Sequence, residues 1–237
     1  MPTTRRLLIL LLLPVVLASC AGDTAREAAR LHRAAGSAPR IALMPPDLTL
    51  ARLSAGGSET PMAAWTLAAE RNLTLALMAA ARERGLELTP APRSLRRDPA
   101  LQPVWRLHRG LETAILTHRF GKARNRLPAK GKASLGWSLG LEAAAALRRR
   151  VHADYALFVS LTDTYASPGR QALGVATVLL IGLPLVEGGR QQGLATLVDL
   201  RTGAVVWARH LDRSSGDLRE AEPAHETAAA LLKDLPQ

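Results

Sequence analysis

One apolar run near the middle of the chain constrains the fold more than any other feature. Residues 153–161 read ADYALFVSL, and a strand of this composition is apolar on both of its faces. A strand that is buried on both faces lies at the centre of a sheet whose two sides are covered by helices. The sequence therefore predicts an α/β fold and argues against a helical bundle.

Segments on both sides of this run alternate between helix and strand patterns. Helices are predicted from apolar spacing and from Ala- and Leu-rich composition at residues 62–84, 103–120, 140–150 and 218–235. Strands are predicted from short apolar runs, the last two joined as a hairpin, at residues 40–44, 86–89, 193–200 and 204–211. We expect a single domain over residues 40–237, in two or three layers, with a central mixed sheet flanked by helices.

The first twenty residues have the organisation of an export signal. Arg5 and Arg6 supply positive charge, and residues 7–18 form an apolar run that is too short to cross a bilayer as a permanent helix. We therefore expect residues 1–19 to be a signal peptide.

The end of this run, Leu17-Ala18-Ser19-Cys20, resembles the lipobox cut by lipoprotein signal peptidase. The resemblance implies that Cys20 begins the mature chain and carries acyl chains that anchor it in the lipid bilayer, with residues 20–39 as a lipidated tether. An ordinary secretory signal is the alternative. Ala21 is not the aspartate that resembles an inner-membrane retention signal in enteric bacteria, so the sequence favours the outer membrane, facing the periplasm.

The net charge of +11 is concentrated in one part of the chain. Residues 93–150 contain 14 Lys and Arg residues and three acidic residues, whereas the remainder contains 17 of each sign. Nucleic acid is the usual partner of such a basic segment. The export signal argues against it, because nucleic acid is scarce in the periplasm.

A loop rich in glycine and proline within this stretch contains the candidate binding residues. A cationic loop is attracted to lipid A phosphates, phospholipid head groups or an acidic envelope protein. A loop that is only solvated is the alternative. The candidate residues are Lys122, Arg124, Arg126, Lys130 and Lys132.

A second apolar run, residues 172–186, reads ALGVATVLLIGLPLV. It is too short for a comfortable transmembrane helix. Three interpretations stay open: shallow insertion into the lipid leaflet, packing against the same segment in a homo-oligomer, or an ordinary buried helix that ends at Pro184.

One motif points to an enzyme. Residues 136–140, GWSLG, match the G-x-S-x-G pattern that places a nucleophilic serine, here Ser138, on a tight turn after a strand. An acid and a histidine follow in the order of α/β-hydrolases: Asp163 or Asp199, then His210 or His225. Because the preceding residues are basic and do not look like a strand, we expect Ser138 to cap the following helix instead.

The order of elements and two motifs resemble a known group of proteins. Ala153-Asp-Tyr-Ala-Leu-Phe158 precedes the core strand, and residues 197–208 of the hairpin read LVDLRTGAVVWA. Together they are similar to periplasmic lipoproteins related to curli-secretion channel subunits and to the TolB amino-terminal domain. Residues 44–47, Gly56-Gly57 and Trp65 resemble an uncharacterised group of exported bacterial proteins.

This resemblance covers residues 40–234 and implies a TolB-like α/β fold with no catalytic constellation. Its characterised members bind envelope proteins or form secretion pores. A pore subunit needs long hairpins that alternate polar and apolar residues, and residues 172–186 do not alternate.

Motifs for metals and nucleotides are absent from the sequence. The six histidines show no H-x-x-x-H spacing, and no Gly-rich phosphate loop is present, so we expect no cofactor. The sequence therefore predicts a non-enzymatic, membrane-anchored periplasmic lipoprotein that acts as a binding or scaffold module in envelope assembly, export or maintenance. An oligomeric secretion-pore subunit is the alternative, and a serine hydrolase using Ser138 is a more distant one.

Overall fold

A mixed sheet is built around one long strand in this computed structural model, which describes residues 31, 38–121, 136–183 and 189–236. The strands in those ranges are β1 (Ile41–Leu43), β2 (Asp47–Leu53), β3 (Glu59–Pro61), β4 (Leu88–Pro90), β5 (Tyr155–Ala166), β6 (Gly189–Asp199) and β7 (Val205–Arg213). The α-helices are α1 (Ala63–Glu83), α2 (Gln102–Ile115), α3 (Leu141–Val151), α4 (Pro168–Ile181) and α5 (Ala221–Leu231).

β5 is the central strand, as the sequence predicts. Along one edge it pairs antiparallel with β6 over nearly its whole length, and β7 pairs antiparallel beyond β6. Along the other edge β1 pairs with the first part of β5 and β2 with the last part, both in parallel. β4 extends the sheet beside β1, and β3 extends it beside β2.

The break between β1 and β2 follows from Pro45-Pro46. Proline has no backbone N–H and cannot donate a ladder hydrogen bond in a sheet. Met44 still donates to the Leu157 carbonyl at 2.9 Å, and pairing resumes at Asp47, opposite Ser160. β1 and β2 therefore lie end to end against the same edge of β5.

Alternate residues of β5 point into two separate hydrophobic clusters. Leu157 and Val159 belong to the cluster beneath α1 and α5, whereas Ala156 and Phe158 belong to the cluster beneath α2 and α3. This alternation is the two-residue period of a β-strand. The domain is therefore a three-layer α/β fold with helices on both faces of the sheet, which confirms the predicted fold class.

Two strands were not predicted. β2 shows the alternation expected of a half-buried strand, because Leu48 and Leu50 are buried while Thr49 and Arg52 are exposed. Its partner β3 is only three residues long and exposed throughout. Short exposed strands leave almost no hydrophobic pattern in a sequence.

The ends of the described chain also differ from expectation. Leu31, which falls within the predicted tether, is buried in the cluster beneath α1 and α5. α5 begins at Ala221 rather than Leu218, because Asp217 accepts hydrogen bonds from the backbone and guanidinium of Arg219 and so holds a loop there. None of the helices in the described ranges is both long enough and apolar enough to cross a membrane.

Removing side-chain volume from β5 should destabilise the whole domain. Leu157 is fully buried at the centre of the sheet, so Leu157→Ala should lower the free energy of unfolding by about 2–5 kcal/mol. Thr162→Ala, at an exposed position of the same strand, should change it by less than about 1 kcal/mol. Urea unfolding followed by circular dichroism measures both variants, and equal losses would contradict the assigned core.

Candidate functional site

α4 is a helix with apolar side chains exposed on every side. None of its residues is buried, and the exposed fractions reach 61% for Val175, 80% for Leu179, 82% for Leu180 and 55% for Ile181. Successive residues of an α-helix are rotated by about 100°. Val175 and Leu179, one turn apart, therefore share one side of the helix, whereas Leu180 and Ile181 point in two other directions. α4 is therefore unlike an ordinary surface helix, which presents one apolar stripe to the core and a polar face to water.

The position of α4 explains this exposure. β5 and β6 are neighbouring antiparallel strands, and Tyr165 lies opposite Gly189 at the end of their ladder. α4 lies in the connection between these two strands, beyond the end of their ladder. Ser167 caps its start, because the serine hydroxyl accepts a hydrogen bond from the Arg170 amide, and Gly182 caps its end with a backbone φ of +75°.

This finding corrects one interpretation of residues 172–186. The buried helix is wrong for the described part of the segment, because α4 contributes no residue to either hydrophobic cluster. Insertion into lipid and packing against another copy are both compatible with the exposed helix. Residues 184–188 lie outside the described part of the chain.

A cleft of about 440 Å³ opens beside the start of α4. It lies where the end of β5 meets β6 and the loop that precedes α5. Its wall contains arginine and aromatic side chains as well as small and polar ones, and it includes Arg52, Trp65, Tyr165, Gln171, Arg190 and Arg219.

A buried carboxylate lies at the floor of this cleft. Asp163 accepts hydrogen bonds from the Tyr165 hydroxyl at 2.5 Å and from the Gln191 side-chain amide at 2.9 Å. Gln191 in turn accepts from Arg213 at 2.9 Å and from the Thr227 hydroxyl at 3.1 Å. The network connects β5, β6, β7 and α5, so its polar groups are used to hold these elements together.

Burial raises the pKa of Asp163 above its ordinary value, although the hydrogen bonds from Tyr165 and Gln191 act in the opposite direction. The same burial, together with the bond to Asp163, raises the pKa of the Tyr165 phenol. Tyr165 therefore remains a protonated hydrogen-bond donor at physiological pH.

The loop between β7 and α5 is fixed to the cleft by contacts from two sides. The Leu218 amide donates to the Tyr165 hydroxyl at 3.0 Å, and the Asn72 side chain of α1 donates to the Leu218 and Arg219 carbonyls at 3.1 and 2.8 Å. The Arg219 guanidinium lies 4.0 Å from the ring centre of Tyr165 and 4.8 Å from that of Trp65. These cation–π contacts place a rigid cationic and aromatic surface at the mouth of the cleft.

A second buried polar cluster lies on the opposite face of the sheet, beneath α2. His108 stacks on Phe158 with ring centres 3.8 Å apart, and its Nε2 lies 2.9 Å from the Thr196 hydroxyl. Burial, with a smaller contribution from the charge of Arg96, lowers the pKa of His108 to about 3. Burial also raises the pKa of the neighbouring Glu112 to about 6, against a hydrogen bond from Ser160.

The residues predicted to bind partners lie outside the described part of the chain. These are the lipidation candidate Cys20 and the basic candidates Lys122, Arg124, Arg126, Lys130 and Lys132. The described residues that flank the basic segment are Gly121 and Gly136.

Ser138 lies in a setting that differs from a nucleophile elbow. It forms an isolated bridge with Ala204 at the turn of the β6–β7 hairpin. Its hydroxyl donates to the Gly203 carbonyl at 3.1 Å and accepts from the Gly140 amide at 3.0 Å. The N-cap of α3 is Gly140, and no side chain caps the helix, so the prediction that Ser138 caps α3 is wrong. Ser138 instead accepts from the amide of this N-cap residue and orders the chain that leads into α3.

Sequence reasoning missed the cleft altogether. Its lining comes from β2, α1, β5, the start of α4, β6 and the loop before α5, and only the register of the sheet and the packing of helices on it bring these segments together. The sequence feature that pointed towards the cleft was Asp163, a carboxylate two residues beyond the apolar run 153–161. Within the described ranges, no group of three His, Cys, Asp or Glu side chains could hold a metal ion.

Comparisons with known proteins give only distant similarities. No protein-family model matches the chain, and no curated protein matches it. Among solved structures, the PelC dodecamer from Paraburkholderia phytofirmans is 16% identical, with a TM-score of 0.38 over 83% of this chain and 86% of that one.

Two further structures are similar at the same level. Lipoprotein GNA1162 from Neisseria meningitidis is 15% identical, with a TM-score of 0.32 over 76% of this chain and 82% of that one. The LpoB C-terminal domain from Salmonella enterica is 14% identical, with a TM-score of 0.28 over 77% and 88%. Because all of these scores and identities are low, they carry no conclusion about activity or partners.

Ionisation of Glu112 should make the domain less stable as the pH rises. The native pKa of about 6 lies above the ordinary value of 4.5, so the carboxyl group stabilises the fold fully below about pH 4.5, and this contribution is lost as the pH rises through 6. The loss amounts to about 2 kcal/mol. Glu112→Gln should remove this part of the pH dependence in denaturant titrations between about pH 4 and about pH 8.

The exposed Glu142 of α3 provides the control for this measurement. Glu142→Gln should leave the pH profile of stability unchanged. If Glu112→Gln has the same profile as the wild-type protein, Glu112 is not the group that loses its proton in this range.

Proposed function

We propose that this chain is a non-enzymatic lipoprotein that is anchored to the outer membrane through acylated Cys20 and works as a binding or scaffold module in the periplasm. Its role would lie in assembly, export or maintenance of the cell envelope. The observation that carries the proposal is α4, an apolar helix held outside both hydrophobic clusters.

An exposed apolar surface of this size favours a partner. Isolated apolar side chains on a protein surface need no explanation, but a contiguous patch marks a site of contact with protein or lipid. The apolar residues of α4 and the adjoining Leu183 form such a patch, with six side chains at least 45% exposed: Val175, Val178, Leu179, Leu180, Ile181 and Leu183. We infer that α4 packs against protein, either a second copy of this chain or another envelope protein.

The hydrogen bonds made by two polar side chains support a non-catalytic role. The hydroxyl of Ser138 is engaged with backbone groups beside α3. The carboxylate of Asp163 is engaged with Tyr165 and Gln191. Both residues belonged to the hydrolase hypothesis, and both serve local architecture.

The second candidate is a secretion-pore subunit, in line with the resemblance to curli-secretion proteins. Such a subunit would need barrel hairpins that alternate polar and apolar residues. The connection between β5 and β6 instead contains a helix that is apolar on all sides. This difference supports the binding module over the pore subunit.

Acylation of Cys20 is the first requirement of the proposal. Mass spectrometry of the protein purified from membranes should show a chain that starts at Cys20 and carries covalently bound acyl groups. Cys20→Ala should remove both the acyl mass and the membrane association that survives a salt wash. An unmodified Cys20 on a membrane-extracted chain would contradict lipid anchoring.

Polar substitutions in α4 should abolish assembly without unfolding the domain. Because Leu179 and Leu180 are 80% and 82% exposed, Leu179→Gln with Leu180→Gln should change the free energy of unfolding by less than about 1 kcal/mol. Light scattering of the acylated protein in mild detergent should show an assembly for the wild type and a monomer for the double variant.

The control is a double variant with the same Leu→Gln substitutions on another helix. Leu67 and Leu75 of α1 are 51% and 67% exposed, and Leu67→Gln with Leu75→Gln should preserve the assembly. If the α4 variant assembles as the wild type does, α4 is not the contact surface. A wild-type monomer would direct the search to a different envelope protein, and a ring-sized complex would favour the pore subunit.

A further inference from the structure

We propose a second binding site at the end of the sheet opposite α4, where a pocket lined by Arg40, Arg148, Arg149, His152 and Arg201 binds the phosphate groups of anionic lipids. The lipids are those of the leaflet that holds the acyl chains of Cys20, so the inference rests on the lipid anchoring in the proposed function. It adds a site on the folded domain that orients the domain against the membrane.

Separate elements bring these cationic side chains to one place. Arg40 directly precedes β1, Arg148 and Arg149 lie in the last turn of α3, and Arg201 lies in the turn between β6 and β7. They surround a shallow pocket of about 650 Å³ whose apolar wall includes Ala145 and Leu200.

His152 ends α3 in the left-handed region, with a backbone φ of +51°, and donates its amide to the Arg148 carbonyl at 2.9 Å. The chain therefore turns sharply at His152 and runs directly into β5. This turn keeps the last residues of α3 close to Arg40, whose carbonyl accepts hydrogen bonds from the Asp154 and Tyr155 amides.

The positive charges in the pocket outnumber the acids beside it. Asp154 accepts bonds from the Arg40 backbone and guanidinium at 3.1–3.4 Å, and Asp199 lies 3.5 Å from the Arg201 guanidinium. Arg148 and Arg149 are exposed, and neither lies within ion-pair distance of a carboxylate in the described ranges. Arg148 also lies within electrostatic reach of Asp154. Four arginines nevertheless meet only these two carboxylates, so the pocket has a net positive charge.

Helix stability does not account for this arrangement. Arginines in a last turn interact favourably with the negative end of the helix dipole, which explains Arg148 and Arg149 taken alone. It does not explain why Arg40 and Arg201, from two other elements, line the same pocket. Several guanidinium groups around one pocket fit a phosphate, because each group can donate two parallel hydrogen bonds to phosphate oxygens.

The pocket lies where the chain from the anchor enters the sheet. Arg40 precedes Ile41, and Ile41 pairs with Tyr155, the first residue of β5. α4 begins beyond Ala166, the last residue of β5, which is roughly 36 Å farther along the strand. The 11 residues from Cys20 to the buried Leu31 span at most about 40 Å. A pocket at the entry point can therefore reach the surface of the anchoring leaflet.

The test uses residues 21–237 of the chain, which lack both the signal and the acyl site. All of the described fold lies at Leu31 or beyond. The measurement is flotation with vesicles of equal parts phosphatidylcholine and phosphatidylglycerol, compared with vesicles of phosphatidylcholine alone. The protein should float with the anionic vesicles only.

A double variant tests the pocket itself. One basic side chain near an anionic leaflet raises the membrane partition coefficient about fivefold. The double variant Arg148→Gln with Arg149→Gln should therefore lower the partition coefficient measured by flotation about twenty-five-fold. The matched control is Arg71→Gln with Arg82→Gln, which removes the same charge from exposed positions of α1. The control should lose less than about threefold, and thermal melts should show that both variants are folded.

Each outcome separates this inference from its alternatives. Equal losses in the two double variants, or equal binding to both kinds of vesicle, would overturn the pocket. Acylation of Cys20 and assembly through α4 are measured separately, so either can fail while the vesicle result stands.

Discussion

The fold depends on the pairing of β5 along both of its edges and the burial of both of its faces. β6 satisfies one edge, and the end-to-end strands β1 and β2 satisfy the other. Burial of a strand on both faces is possible only where its backbone groups are fully paired, because unpaired N–H and C=O groups are costly away from water. The two helical layers can therefore pack against alternate residues of one strand, such as Leu157 and Phe158.

β5 also separates two surfaces of opposite chemistry. The start of the strand lies beside a cationic pocket, with Arg40 and Arg148 in its wall. The end of the strand leads into α4, where Leu179 and Leu180 are almost fully exposed. Cleft residues such as Arg219 lie beside the start of α4 and are held by aromatic and carboxylate contacts. One rigid strand thus fixes the distance between a charged surface and an apolar one.

The sequence predicted several of the features that local periodicity encodes, although β2, which also alternates, was missed. The apolar run 153–161 and the β6–β7 hairpin were predicted correctly, because each has a strong pattern within a short window. The cleft was not predictable, since Trp65 and Arg219 meet only through long-range packing. The exposure of α4 was not predictable either, because an all-round apolar helix has the same composition whether it lies in a core or outside it.

The two proposed surfaces constrain each other through geometry. If the pocket that includes Arg40 faces the leaflet and β5 runs along the membrane normal, α4 begins roughly 36 Å from that leaflet. α4 has 14 residues, which as a helix extend only about 21 Å, so it cannot reach back to that leaflet. An apolar helix held this far from the anchoring leaflet needs protein to cover it, because lipid is then out of its reach. The orientation imposed by the pocket thus favours a protein contact for α4 over the shallow insertion into lipid that the sequence left open.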